Sequence, residues 1–134
     1  MRFAAVVLMA AVAGCSNVAP TSAPTAMLLT IETAPTLTAP PGGVAACALA
    51  RLLPIVIKRD GDRLMFVNAQ SSQTVAVIWP HGFSARVVNG KGELLDPSGA
   101  IIGTEGDTLS ELGGGFGAEG QAFGVCSIGN RTYT

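Results

Sequence analysis

The run Val75-Ala76-Val77-Ile78-Trp79-Pro80-His81-Gly82-Phe83-Ser84-Ala85-Arg86-Val87-Val88-Asn89-Gly90 alternates its side chains with a period of two. Phe83, Ala85 and Val87 share one face with Ser84 and Arg86 on the other, and Val75, Val77 and Trp79 alternate likewise. That is the signature of half-buried β-strands. Pro80 and Gly82 permit a sharp reversal between the two runs, so Trp79 and Phe83 are expected to return to one core while His81 and Arg86 point outward. Asn89-Gly90 then closes the second strand with a hairpin turn.

The same punctuation recurs on either side of this run. Asp60-Gly61 joins LLPIVIK to RLMFV, and Asp96-Pro97-Ser98-Gly99 joins GELL to AII. Strands are predicted near 45–50, 52–58, 63–68, 74–79, 83–88, 93–95, 100–102, 108–112 and 121–128, with no sustained 3.6-residue period anywhere. Short strands at this spacing predict an all-β domain over residues 44–134, a small barrel or sandwich of antiparallel strands. Barrel closure is preferred because so small an open sheet exposes its edges.

The N-terminal part has another character. Arg2 precedes an unbroken apolar run, Phe3 to Ala13, which reads as a secretory leader over residues 1–14, helical and too short to span a bilayer permanently. Val12-Ala13-Gly14-Cys15 resembles the lipobox of bacterial lipoproteins. The resemblance implies that the Cys15 thiol receives a diacylglyceryl group, that the leader is cut before it, and that the chain is exported and held on a bacterial cell membrane. Two or more acyl chains, at about 0.8 kcal/mol per buried CH₂, anchor stably where one does not. The lipobox alone does not decide between inner and outer membrane. Residues 15–43 hold most of the prolines and threonines and a single charge, Glu32, so they read as a disordered tether. Met27–Ile31 (MLLTI) interrupts it as a candidate strand on the domain edge.

Of 134 residues, 49% are apolar and 13% charged. Eight Lys and Arg stand against nine Asp and Glu, and loss of Arg2 with the leader makes the balance more acidic. Nucleic acid is therefore not an expected partner. With Cys15 lipidated, Cys47 and Cys126 are the remaining thiols of an exported chain and are expected to pair. The alternatives are two separately buried thiols or a metal pair, the latter short of ligands because His81 is the one histidine and no CxxC occurs.

Apparent chemical motifs mostly dissolve on inspection. Gly115-Phe116-Gly117-Ala118-Glu119-Gly120 has the spacing of a dinucleotide loop, but too few residues follow for the rest of such a site, and the glycines read as a mobile loop between strands. Gly82-Phe83-Ser84-Ala85-Arg86 lacks the final glycine of a nucleophile elbow. Asp60-Gly61-Asp62 and Glu105-Gly106-Asp107 lack the ligands of a calcium loop, and Gly90-Lys91-Gly92 is not a phosphate loop. No cofactor or metal is expected. His81 would need a nucleophile or orienting carboxylate to act as a base, and no such pair is legible.

Trp79-Pro80-His81-Gly82-Phe83-Ser84-Ala85-Arg86, then Leu95-Asp96 with Gly99, Gly106-Asp107 and Gly113-Gly114-Gly115, resemble a pattern of small bacterial lipoproteins with a W-P-x-G-F-x-A-R β-domain. The resemblance spans roughly residues 44 to 128 and implies a compact OB-like β-barrel without an assigned activity. His81 occupies a position where that pattern commonly has proline or a small residue. The expected function is a non-catalytic binding or structural module recognising an envelope protein, a peptide or a glycan, with Trp79, His81, Phe83 and Arg86 as candidate surface. A small envelope hydrolase or enzyme inhibitor is the alternative.

Overall fold

The computed structural model describes residues 25–34, 50–116 and 122–133. The leader, Cys15, Cys47 and the greater part of the stretch read as tether lie outside them. Twelve strands are described: β1 (Met27–Leu29), β2 (Ala50–Arg51), β3 (Ile55–Asp60), β4 (Arg63–Asn68), β5 (Ala76–Ile78), β6 (Ser84–Val88), β7 (Lys91–Leu95), β8 (Ile101–Thr104), β9 (Thr108–Leu109), β10 (Leu112–Phe116), β11 (Ala122–Ile128) and β12 (Arg131–Thr132). Among the described residues there is no helix, so the fold is all-β.

The hairpins follow the turn chemistry. Asn89 and Gly90 both take positive φ, 50° and 77°, which is what a two-residue type I′ connection requires, and β6 pairs β7 from Val88↔Lys91 to Ser84↔Leu95. β3 and β4 pair from Asp60↔Arg63 to Ile55↔Asn68, which sends Ile55, Ile57, Leu64 and Phe66 into the core. Asp96 to Gly99 carries β7 into β8 as expected.

The strands form three sheets, ordered β1-β6-β7-β8, β12-β11-β10-β2 with β5 also on β11, and β4-β3-β9. None closes on itself, so the expected OB-like barrel is not formed. The reason is local. Residues 50–60 run beside 108–116, but Pro54 has no N–H to give the ladder and Ser110-Glu111 interrupts the opposite strand, so β2–β10 and β3–β9 fall into separate sheets. The sheets share one core instead. A Cβ on Gly92 would lie 2.7 Å from Leu64 Cδ1, and one on Gly103 2.7 Å from Ile57 Cδ1. The bare backbone of β7 and β8 is thus the hole that side chains of β3 and β4 fill.

Two further expectations are corrected. Not every pairing is antiparallel, because β5 runs parallel to β11 from Ala76↔Ala122 to Ile78↔Gly124. Gly115 and Phe116, read as part of a loop, are strand: with Gly113 and Gly114 they belong to β10, where the close approach of β11 leaves no room for a side chain on Gly113 or Gly114. Residues 117–120 of that motif lie outside the described residues.

The segment 27–34, inside the stretch read as tether, is part of the β-structure. Met27, Leu28 and Leu29 pair with Val87, Arg86 and Ala85, realising the candidate edge strand. Beyond β1, Thr30 bridges Arg63 and Thr33 bridges Trp79, so eight residues stitch three sheets together. Leu29 faces the core, while Leu28 is 79% exposed.

Candidate functional site

The corner from Trp79 to Arg86 was the part of the chain from which a site could be expected. β5 delivers Trp79, whose N–H donates to the Glu32 carbonyl (2.8 Å) and whose carbonyl accepts from Ala34 N–H (2.7 Å). The reversal follows, with Phe83 N–H donating to the Pro80 carbonyl at 3.3 Å. Gly82 sits at φ 84°, and a Cβ there would lie 3.2 Å from Pro97 Cβ and Cγ. Trp-Pro-x-Gly-Phe therefore packs on Asp-Pro-Ser-Gly of the next hairpin, two motifs separated in sequence and joined in space.

Inside the corner the aromatic rings form a continuous stack. The Trp79 ring lies 5.0 Å from Phe66 and 5.6 Å from Phe83, and Phe83 meets Tyr133 edge-on at 4.9 Å. Trp79 has no exposed area and Phe83 is buried. Two polar atoms are buried in this stack without a hydrogen-bond partner among the described residues, Trp79 Nε1 and the Tyr133 hydroxyl. The expected inward pair is thus inward, as core. His81 is exposed, and Arg86 is half-buried on the opposite face of β6, its Nε donating to Glu93 Oε2 at 3.0 Å. The four candidate residues do not form one surface.

The neighbouring turn is organised by a carboxylate. Asp96 is buried, and its Oδ1 accepts from the Ser98 hydroxyl (2.6 Å), Ser98 N–H (2.9 Å) and Ala100 N–H (3.0 Å). Its pKa lies below the ordinary carboxylate value chiefly because of the Ser98 hydroxyl, against the opposing effect of burial, with the two amides and Arg131 adding to the lowering. Glu105 is lowered in the same direction, first by Gly92 N–H at 3.0 Å and further by Arg59 at 3.3 Å. Both carboxylates hold turns, and neither lies in a groove with His81. Among the described residues no three His, Cys, Asp or Glu side chains gather as a metal site.

Concave surface lies elsewhere. A groove of about 400 Å³ runs between Arg51 to Leu53, Gln73 to Ala76 and Phe116. Leu53 and Phe116 are each more than half exposed there, and the Phe116 ring rests edge-on against Phe123 at 5.1 Å. A second, of about 440 Å³, is lined by Lys58, Arg59, Gly90, Lys91 and Glu105. A third, of about 390 Å³, lies along β4 between Thr30 to Glu32 and Thr74 to Val77. His81 lines none of these. Leu53 and Phe116 were missed because nothing in an apolar residue beside a turn says which way it faces. The one available signal was a lone aromatic among glycines in Gly-Gly-Gly-Phe-Gly. Cys126 is half-buried in β11, and Cys47, the partner expected for it, lies outside the described residues. The chain matches no protein-family model, no curated protein and no solved structure.

Proposed function

We propose that the protein is a lipid-anchored module of the bacterial cell envelope that holds or recognises a partner without catalysis. The observation that carries this reading is the leader ending in Val12-Ala13-Gly14-Cys15, followed only twelve residues later by β1. An acylated Cys15 would hold the β-domain within about 40 Å of a membrane even with the intervening chain fully extended. The Leu53–Phe116 groove supports a partner of mixed character, since two exposed apolar side chains stand beside Arg51 and Gln73. A protein segment or peptide fits that chemistry better than a glycan does. Cys47 is the proposed partner of Cys126, a pairing that would tie the start of the domain to its last long strand.

The test uses the full chain in an exporting bacterium. Metabolic labelling with a fatty-acid analogue should mark the wild type and leave Cys15→Ala unlabelled and uncleaved. Label on Cys15→Ala removes the anchor from the reading. A photo-crosslinker at Phe116 should then capture one envelope partner that the same crosslinker at Ser84 does not. Equal capture at both positions, or a turnover abolished by His81→Ala, would replace the binding module.

A further inference from the structure

Both lysines of the chain, Lys58 and Lys91, line the same groove. Lys58 comes from β3 and Lys91 from the first position of β7, so their meeting is a product of the fold. Arg59 joins them, its Nη2 donating to the Gly90 carbonyl at 3.4 Å. The one carboxylate in the lining, Glu105, is already engaged by Gly92 N–H and Arg59. Three cations and one anion thus line the groove, Lys58 and Arg59 from opposite faces of β3, and among the described residues neither lysine makes an ion pair. Asp60 and Asp62 do not line this groove. Asp60 stands two residues from Lys58 on the same face of β3, and the Asp62 carbonyl accepts from Thr30 N–H at the β3–β4 turn.

The position of this basic groove is as telling as its charge. β1 is antiparallel to β6, and its first residue, Met27, pairs with Val87. Val87 in turn faces Gly92, and Val88 faces Lys91, beside the hairpin tip. With neighbouring strands about 4.8 Å apart, Met27 lies roughly 10 Å from the Lys91 backbone. Met27 therefore enters the sheet beside the hairpin tip that carries Lys91. Met27 and Leu28, 49% and 79% exposed on opposite faces of β1, add apolar surface at this edge of the sheet.

We infer that this end of the domain docks onto the anionic phospholipid headgroups of the membrane that holds its anchor. The inference rests on the lipid-anchor reading above and adds an orientation to it. Lys58, Arg59 and Lys91 meet the phosphates, Met27 and Leu28 reach the acyl boundary, and the Leu53–Phe116 groove is left to a partner. Each cation brought close to an anionic surface favours association by about fivefold, an effect screened by salt.

Because the chain has only two lysines, amine acylation followed by mass spectrometry reads this face without any substitution. The full-length protein purified from membranes is placed on neutral phosphatidylcholine vesicles and on vesicles containing phosphatidylglycerol. Flotation with the neutral vesicles reports the anchor, and lysine reactivity reports the docking. Acylation of Lys58 and Lys91 should fall by about fivefold or more on the anionic vesicles and recover in high salt. Equal reactivity on both vesicles overturns the docking and leaves the anchor standing. A protein that floats with neither overturns both. The same protection by inorganic phosphate on neutral vesicles assigns the groove to a small soluble anion and also overturns the docking.

Discussion

Replacing Gly114 by alanine should unfold or nearly unfold the domain, whereas the same change at Gly124, on the strand beside it, should be tolerated. A methyl group on Gly114 would press into the Gly124 carbonyl oxygen, with its carbon 2.9 Å away and Phe123 Cε1 at 2.8 Å. None of these can move cheaply. The carbonyl belongs to the backbone of β11, and the Phe123 ring is fully buried with Phe116 against its edge. Overpacking typically costs about 1–3 kcal/mol, and each ladder hydrogen bond lost as β10 is pushed off β11 adds about 1 kcal/mol. A total of about 3–5 kcal/mol is a large part of the roughly 5–15 kcal/mol that stabilises a domain. It corresponds to a fall of roughly 15–30 °C in Tm at this size. At Gly124 the nearest atom to an added Cβ is the Gly115 carbonyl oxygen at 3.6 Å, an ordinary contact, and its φ lies outside the left-handed region. There the reduced freedom of the unfolded chain should offset any cost, leaving Tm within a few degrees of the parent. Thermal unfolding followed by circular dichroism and by fluorescence of Trp79, the only tryptophan, compares the two. Equal effects, or a Gly114→Ala protein within about 0.5 kcal/mol of wild type, would refute the close approach of β10 and β11.

Trp79→Ala should cost about 3–5 kcal/mol, while Trp79→Phe should cost clearly less because it also removes a buried N–H that has no partner among the described residues; chemical denaturation gives the order, and equal losses contradict the packing. The lowered pKa of Asp96 means that its contribution is present above the unfolded value near 3.9 and lost as pH falls through the folded value. Asp96→Asn should therefore be less stable than wild type at pH 7 and lose less on going to pH 3, and Tm at the two pH values tests the sign. If Cys47 and Cys126 pair as proposed, neither should titrate as a thiol in the oxidised protein, and reduction should remove about 4–4.5 kcal/mol for a loop of roughly 80 residues. Two titrating thiols in the oxidised protein would contradict the pairing.

What the sequence disclosed was whatever is encoded within a few neighbouring residues. The period of two through Phe83, Ala85 and Val87 placed β6 and its inward face, and Asn89-Gly90 set the register of β6 on β7. The buried places of Trp79 and Phe83 followed from the same alternation. Pairings made between distant segments left no such trace. β5 and β11 run parallel some 45 residues apart, and neither Ala76–Ile78 nor Ala122–Gly124 carries a mark of the other. β10 was hidden for a different reason, because Gly113 to Gly115 have no side chains and so no hydrophobic period to read. The basic groove was equally silent, since Lys58 and Lys91 look like two solvated charges until β3 is laid across β7.

The way residues 27–34 are sewn in gives the domain a direction in which it resists force. A pull on Met27 along the axis of β1, away from the body of the domain, loads the β1–β6 ladder in shear, so its hydrogen bonds share the tension. Behind them the bonds of Thr30 to Asp62 and Leu64, and of Glu32 and Ala34 to Trp79, lie further along the same line of force. A pull across the sheet would instead peel β1 from β6 one bond at a time. The same three-residue strand is a brace against axial traction and a zipper against lateral traction, so the angle at which the chain leaves Met27 sets the load the domain can bear.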